Sequence, residues 1–79
     1  MSKAKQMFED LGYTQTREDD DYIMYAKHIE DGEKVVEFCE QLQSFYVRLE
    51  TILGKDEVCC VRIEVFKAIQ EQIKELGWN

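Results

Sequence analysis

Proline is absent from this 79-residue chain, and histidine and tryptophan occur once each. A chain without proline has no rigid linker segments, and its length suits one domain over residues 1–79. A domain of this size buries roughly 60% of the surface its unfolded form exposes, so it builds one small core. Cysteine is scarce and odd in number: three residues, of which Cys59 and Cys60 are adjacent. That pattern excludes a disulfide framework and points to a reducing cytoplasm. Cys39 has no partner at zinc-ligand spacing, so neither a metal nor a cofactor is expected. No apolar run approaches the roughly 18 residues that span a bilayer. The N-terminus has helical periodicity in place of a basic-then-apolar leader.

Bases are also few, ten against seventeen acids, for a net charge of −7. The deficit is local. Between Glu18 and Glu40 lie nine acids (Glu18, Asp19, Asp20, Asp21, Glu30, Asp31, Glu33, Glu37 and Glu40) against Lys27 and Lys34 alone, and the remaining eight acids and eight bases balance. Direct nucleic-acid binding is therefore excluded as an expectation, because phosphate contacts need a cationic surface. A basic protein partner is electrostatically allowed. Apolar residues (44%) and charged residues (34%) are nonetheless present in the proportions of a folded domain.

What the chain does have is a phrase used twice, Phe8-Glu9-Asp10-Leu11-Gly12-Tyr13 and Ile73-Lys74-Glu75-Leu76-Gly77-Trp78. Each reads as a last helical turn closed by a left-handed glycine, with an aromatic folding back onto the apolar residue five positions earlier. Ser2 is a cap for the first helix, whose apolar stripe is Ala4, Met7, Phe8 and Leu11. The second helix is expected over Ile63 to Leu76, with Phe66, Ile69, Ile73 and Leu76 inward and the poor cap Arg62 at its start.

Between the helices the periodicity switches to two. Tyr22 to Ile29, Lys34 to Glu40 and Ser44 to Ile52 read as strands, Val58 to Val61 as a last short one, and Tyr13 to Arg17 as a further edge strand. Asp31-Gly32 is a hairpin signal. Short turns make neighbouring strands antiparallel. The expectation is an α+β domain of order α-β-β-β-β-α, with an antiparallel sheet of four or five strands and both helices on one face. The predicted core is Phe8, Leu11, Ile23, Tyr25, Val36, Phe38, Phe45, Val47, Leu49, Phe66, Ile69, Ile73 and Trp78.

No catalytic constellation stands out, and a non-enzymatic protein is expected. His28 and Cys39 would need to meet in space, with an orienting acid, to act as a nucleophilic pair. Glu18-Asp19-Asp20-Asp21 lacks the alternating ligands and central glycine of a calcium loop. Two surfaces remain. Alternation places Tyr22, Met24, Val35, Cys39, Tyr46 and Arg48 on the sheet face opposite the helices, with Glu37 and His28 among them. Aromatics, methionine and arginine are the types enriched where proteins meet proteins, so Tyr22, Met24, Tyr46 and Arg48 form the expected partner surface. The second is an acidic patch, Asp19, Asp20, Asp21, Asp31 and Glu33. Carboxylates on alternate strand positions lie about 6.8 Å apart, near the phosphate spacing of a nucleic-acid strand, which admits mimicry of DNA towards a basic nucleic-acid-binding protein.

The opening stretch ending Phe8-Glu9-Asp10-Leu11-Gly12-Tyr13, the acid-rich Asp19-Asp20-Asp21-Tyr22-Ile23 and the closing Phe66-Lys67-Ala68-Ile69-Gln70-Glu71-Gln72-Ile73-Lys74-Glu75-Leu76-Gly77-Trp78 resemble short uncharacterised proteins of Gram-positive prophages and conjugative elements. The likeness covers about half the chain, and its motifs are helix ends that carry no catalytic residue. It implies an accessory role in a mobile element, towards a host or defence protein, with inhibition of a nucleic-acid enzyme such as a CRISPR nuclease as the alternative. Monomer and homodimer are both compatible with these readings.

Overall fold

Both glycine stops close their helices as their spacing predicts. In the computed structural model, which describes residues 2–51 and 60–78, helix α1 spans Lys3–Asp10 and helix α2 Ile63–Leu76. Gly12 takes φ +91°, its N–H bonding Glu9 O at 3.0 Å while the Tyr13 N–H reaches Phe8 O at 2.9 Å. Gly77 takes φ +76° and repeats the pair, to Lys74 O at 3.1 Å and from Trp78 to Ile73 O at 3.2 Å. These bonds satisfy carbonyls that a helix end otherwise leaves bare. The Tyr13 ring meets Phe8 edge-on, with centroids 5.7 Å apart. At the start of α1 the Ser2 hydroxyl accepts the Lys5 N–H at 3.0 Å, whereas the Arg62 side chain makes no cap bond for α2.

The strands are β1 (Thr14–Glu18), β2 (Tyr22–Ile29), β3 (Gly32–Cys39) and β4 (Ser44–Thr51), paired antiparallel in chain order. The Thr-rich stretch after Tyr13 is thus the edge strand β1, irregular between Gln15 and Arg17. Of the short strand expected at Val58 to Val61, Val58 and Cys59 lie outside the described residues, and Cys60 and Val61 are not in a strand. The β2–β3 turn is shifted by one residue from the expected Asp31-Gly32. Glu30 and Asp31 form it, and Gly32 already pairs with Ile29 and with Thr51. The glycine is needed there for space: a Cβ on Gly32 would stand 1.8 Å from the Glu50 carbonyl oxygen.

Both helices cover one face of the sheet. Phe8 is fully buried and stacks on Tyr25 at 4.1 Å, with Phe38 edge-on at 6.3 Å. Tyr13, Val36, Val65, Ala68, Ile69 and Trp78 complete the buried cluster. Burying one such aromatic contributes about 2–3 kcal/mol, so this cluster is the principal stabilising feature of so small a domain. Two polar ties cross it: the Tyr25 hydroxyl donates to Gln72 Oε1 at 2.6 Å, and the Trp78 indole N–H to Glu40 Oε2 at 3.0 Å. A third joins the chain ends. Glu75, in the last turn of α2, accepts from Ser2 Oγ at 2.6 Å and from the Ala4 N–H at 2.7 Å.

Two predicted core residues are exposed. Phe66 is 45% accessible because α2 turns Val65, Ala68, Ile69 and Gln72 inward, leaving Phe66 on the flank of that stripe. Phe45 lies on the helix-covered face, yet it is 40% accessible while its β3 partner Phe38 is 1%. Burial drops from β3 to β4 because the helices sit over the middle of the sheet and leave its β4 margin partly open.

Candidate partner surface

The register fixes the opposite face row by row. Tyr22, Cys39 and Ser44 form one row, Met24, Glu37 and Tyr46 the next, then Ala26, Val35 and Arg48, and finally His28, Glu33 and Glu50. The four expected surface residues therefore share one face, two on β2 and two on β4, with β3 between them. Tyr46 projects furthest, at 47% accessible, while Tyr22, Met24 and Arg48 are half-buried.

Arg48 and Tyr22 are each held by neighbouring side chains of the same sheet. The Arg48 guanidinium donates from Nη1 to Glu37 Oε1 at 2.8 Å and from Nε to Glu50 Oε1 at 2.9 Å. These two carboxylates raise its pKa above the ordinary arginine value, so it remains a cation. At the other end the Arg17 guanidinium carbon stacks over the Tyr22 ring, 4.5 Å from its centroid. The Tyr22 phenol is raised above its usual pKa, chiefly by charge on the neighbouring Cys39 sulfur and then by desolvation. Val35 and Cys39 belong to this face by alternation but are only 3% and 5% accessible. Arg48 stands opposite Val35 and Tyr22 opposite Cys39 in the ladder, and long side chains lie over shorter neighbours. The surface on offer is thus aromatic and guanidinium, with the small residues beneath.

The acidic residues divide into two groups. Asp19 to Asp21 form the β1–β2 turn, and Asp31 and Glu33 stand at the β2–β3 turn. The strand between them places the groups about 24 Å apart. Asp19 is committed to its turn: Oδ1 accepts the Asp21 and Tyr22 N–H groups, both at 2.9 Å, and Oδ2 accepts from Arg17 Nε at 2.6 Å. The Arg17 bond first, and these backbone bonds second, hold its carboxyl below the usual aspartate pKa. The sequence signal for this role is the short aspartate side chain at a turn start.

His28 and Cys39 are at opposite ends of the β2–β3 ladder, about 20 Å apart by six strand steps. The imidazole is exposed, with Nδ1 3.5 Å from Glu33 Oε1, and Cys39 is buried. Among the described residues no group of three His, Cys, Asp or Glu side chains is placed to hold a metal ion, and no helix is long and apolar enough to cross a membrane. Comparison with protein-family models, curated proteins and solved structures returns no match.

Proposed function

We propose that this protein is a non-enzymatic, cytoplasmic interaction module of a mobile genetic element that docks the open face of its sheet onto a host or defence protein. The observation that carries the reading is the convergence of Tyr22, Met24, Tyr46 and Arg48 on one face, with Arg48 already fixed by Glu37 and Glu50. Side chains ordered beforehand lose less rotamer entropy on binding, about 0.5–1.5 kcal/mol for each one that need not be immobilised. Tyrosine and arginine are the residues that most often dominate interface energies. The resemblance of the helix ends to mobile-element proteins supports the setting. Mimicry of nucleic acid is the weaker reading, because the acids stand in two separated groups and Asp19 is engaged in its turn.

The test is capture from a Gram-positive host lysate with tagged protein, followed by affinity measurement on the partner identified. Tyr46→Ala is expected to weaken that complex about 30-fold or more, the loss of a dominant contact of about 2 kcal/mol. Neutralising Asp20 and Asp21 together should leave it nearly unchanged. A partner retained equally by Tyr46→Ala and Arg48→Ala, or lost on neutralising the two aspartates, refutes the open-face reading.

A further inference from the structure

The sheet has two margins, and they are built differently. Strand β1 is five residues long, irregular between Gln15 and Arg17, and carries Arg17 and Glu18. Bulges, brevity and charge are the devices by which an edge strand is kept from pairing with another chain. Strand β4 carries a similar pair of charges but is neither short nor irregular. It runs eight residues in unbroken register with β3, bears one base and one acid, and no strand among the described residues pairs with its outer side. The acidic window that gives the protein its charge ends at Glu40, before β4 begins, so this margin is close to neutral.

The direction of the backbone groups follows from one bond. The Glu40 N–H donates to Asp21 O at 2.9 Å, continuing the β2–β3 register, so odd-numbered residues of β2 bond even-numbered residues of β3. Antiparallel ladders alternate, which turns the odd residues of β3 towards β4 and the even residues of β4 towards β3. Phe45, Val47 and Leu49 therefore aim their N–H and C=O groups at the outer margin, where no described strand pairs with them. Their side chains share the helix-covered face, where Phe45 is 40% accessible.

We infer that the β4 margin is a self-recognition edge, and that its partner is β4 of a second copy of this chain, antiparallel about a two-fold axis at Val47. That register is self-complementary. It sets Val47 against Val47 and Phe45 against Leu49 on the helix side, and Tyr46 against Arg48 on the open side. About six new backbone hydrogen bonds form, two at each of the three outward pairs. Shifting by two residues in one direction faces Arg48 with Arg48, like charges directly opposed, and in the other it shortens the ladder. The result is a continuous eight-stranded sheet in which the exposed Phe45 gains an apolar neighbour. The seam takes in Tyr46 and Arg48 of the face proposed above, while Tyr22 and Met24 on β2 lie away from it, so changes at Tyr22 separate the dimer from the docking of a host partner.

The test uses the intact chain. Light scattering should give a particle of twice 9.4 kDa. Hydrogen exchange should show slow amides at Phe45, Val47 and Leu49, with protection lost on dilution. Phe45→Lys, at an already accessible position, should halve the mass while circular dichroism stays native, and Tyr22→Ala should remain a dimer. A monomeric wild-type mass overturns the inference. So do a dimer whose three amides exchange freely, which would join through another surface, and a Phe45→Lys variant that stays dimeric.

Discussion

Replacing Glu75 by alanine removes a charged contact that ties the start of α1 to the end of α2. Its carboxylate accepts from Ser2 Oγ at 2.6 Å and from the Ala4 N–H at 2.7 Å, and Ala4 is fully buried. Helix α1 is only eight residues, has no acid in its first turn, and begins with Lys3 and Lys5, which oppose its dipole. Glu75 supplies the missing negative charge from a neighbouring helix. A hydrogen bond to a charged acceptor is worth roughly 1.5–3 kcal/mol and a charge at a helix end about 0.3–1, while the exposed Ser2 bond adds little. The expected loss for Glu75→Ala is therefore about 2–3 kcal/mol, a large part of the roughly 5 kcal/mol a domain of this size has. At about 4–8 °C per kcal/mol, the melting temperature should fall by roughly 10–20 °C. Glu75→Gln keeps an acceptor without the charge and should cost about half as much. Urea unfolding and thermal circular dichroism measure both. A Glu75→Ala variant within about 0.5 kcal/mol of wild type, or a glutamine as stable as wild type, would show that the charge at the α1 start does not matter.

The glycines give a contrast. Gly32→Ala should destabilise by about 3 kcal/mol or more, since its Cβ would meet the Glu50 carbonyl at 1.8 Å and force β3 from β4. Gly77→Ala meets nothing within 4 Å and pays only for its left-handed φ of +76°, about 1 kcal/mol, so equal losses in urea unfolding would contradict the steric argument. Burial pushes the Tyr25 phenol up to about 12 from 10.0, so the unfolded chain loses that proton first. Stability from this group is complete below about pH 10 and declines by about 1.4 kcal/mol per unit as pH rises from there towards 12. The urea midpoint should drop over that range in wild type and drop less in Tyr25→Phe; parallel declines would place the effect elsewhere.

The helix stops, the strands and the two sheet faces are legible because each depends on neighbours within a few residues. A glycine that must enter the left-handed region reports itself at Gly12 and Gly77, and alternation assigns Tyr25 and Val36 to one face and Tyr22 and Tyr46 to the other wherever those strands pair. The grouping of Tyr22, Met24, Tyr46 and Arg48 on one face was readable for the same reason, since they share a parity. Their preparation was not, because the Glu37 bond to Arg48 and the Arg17 stack on Tyr22 depend on register across strands.

The sequence alone determined the order of elements, where the helices end, and which residues share a face, since backbone geometry over one turn or one strand step decides these. The tertiary structure decided the rest: that Phe66 and Phe45 stay partly in water, that Gly32 is required for space and not for a turn, and that Glu75 caps a helix more than seventy residues away. Each of these depends on how far the helices reach across the sheet and on which backbones come close, and no local pattern encodes those distances.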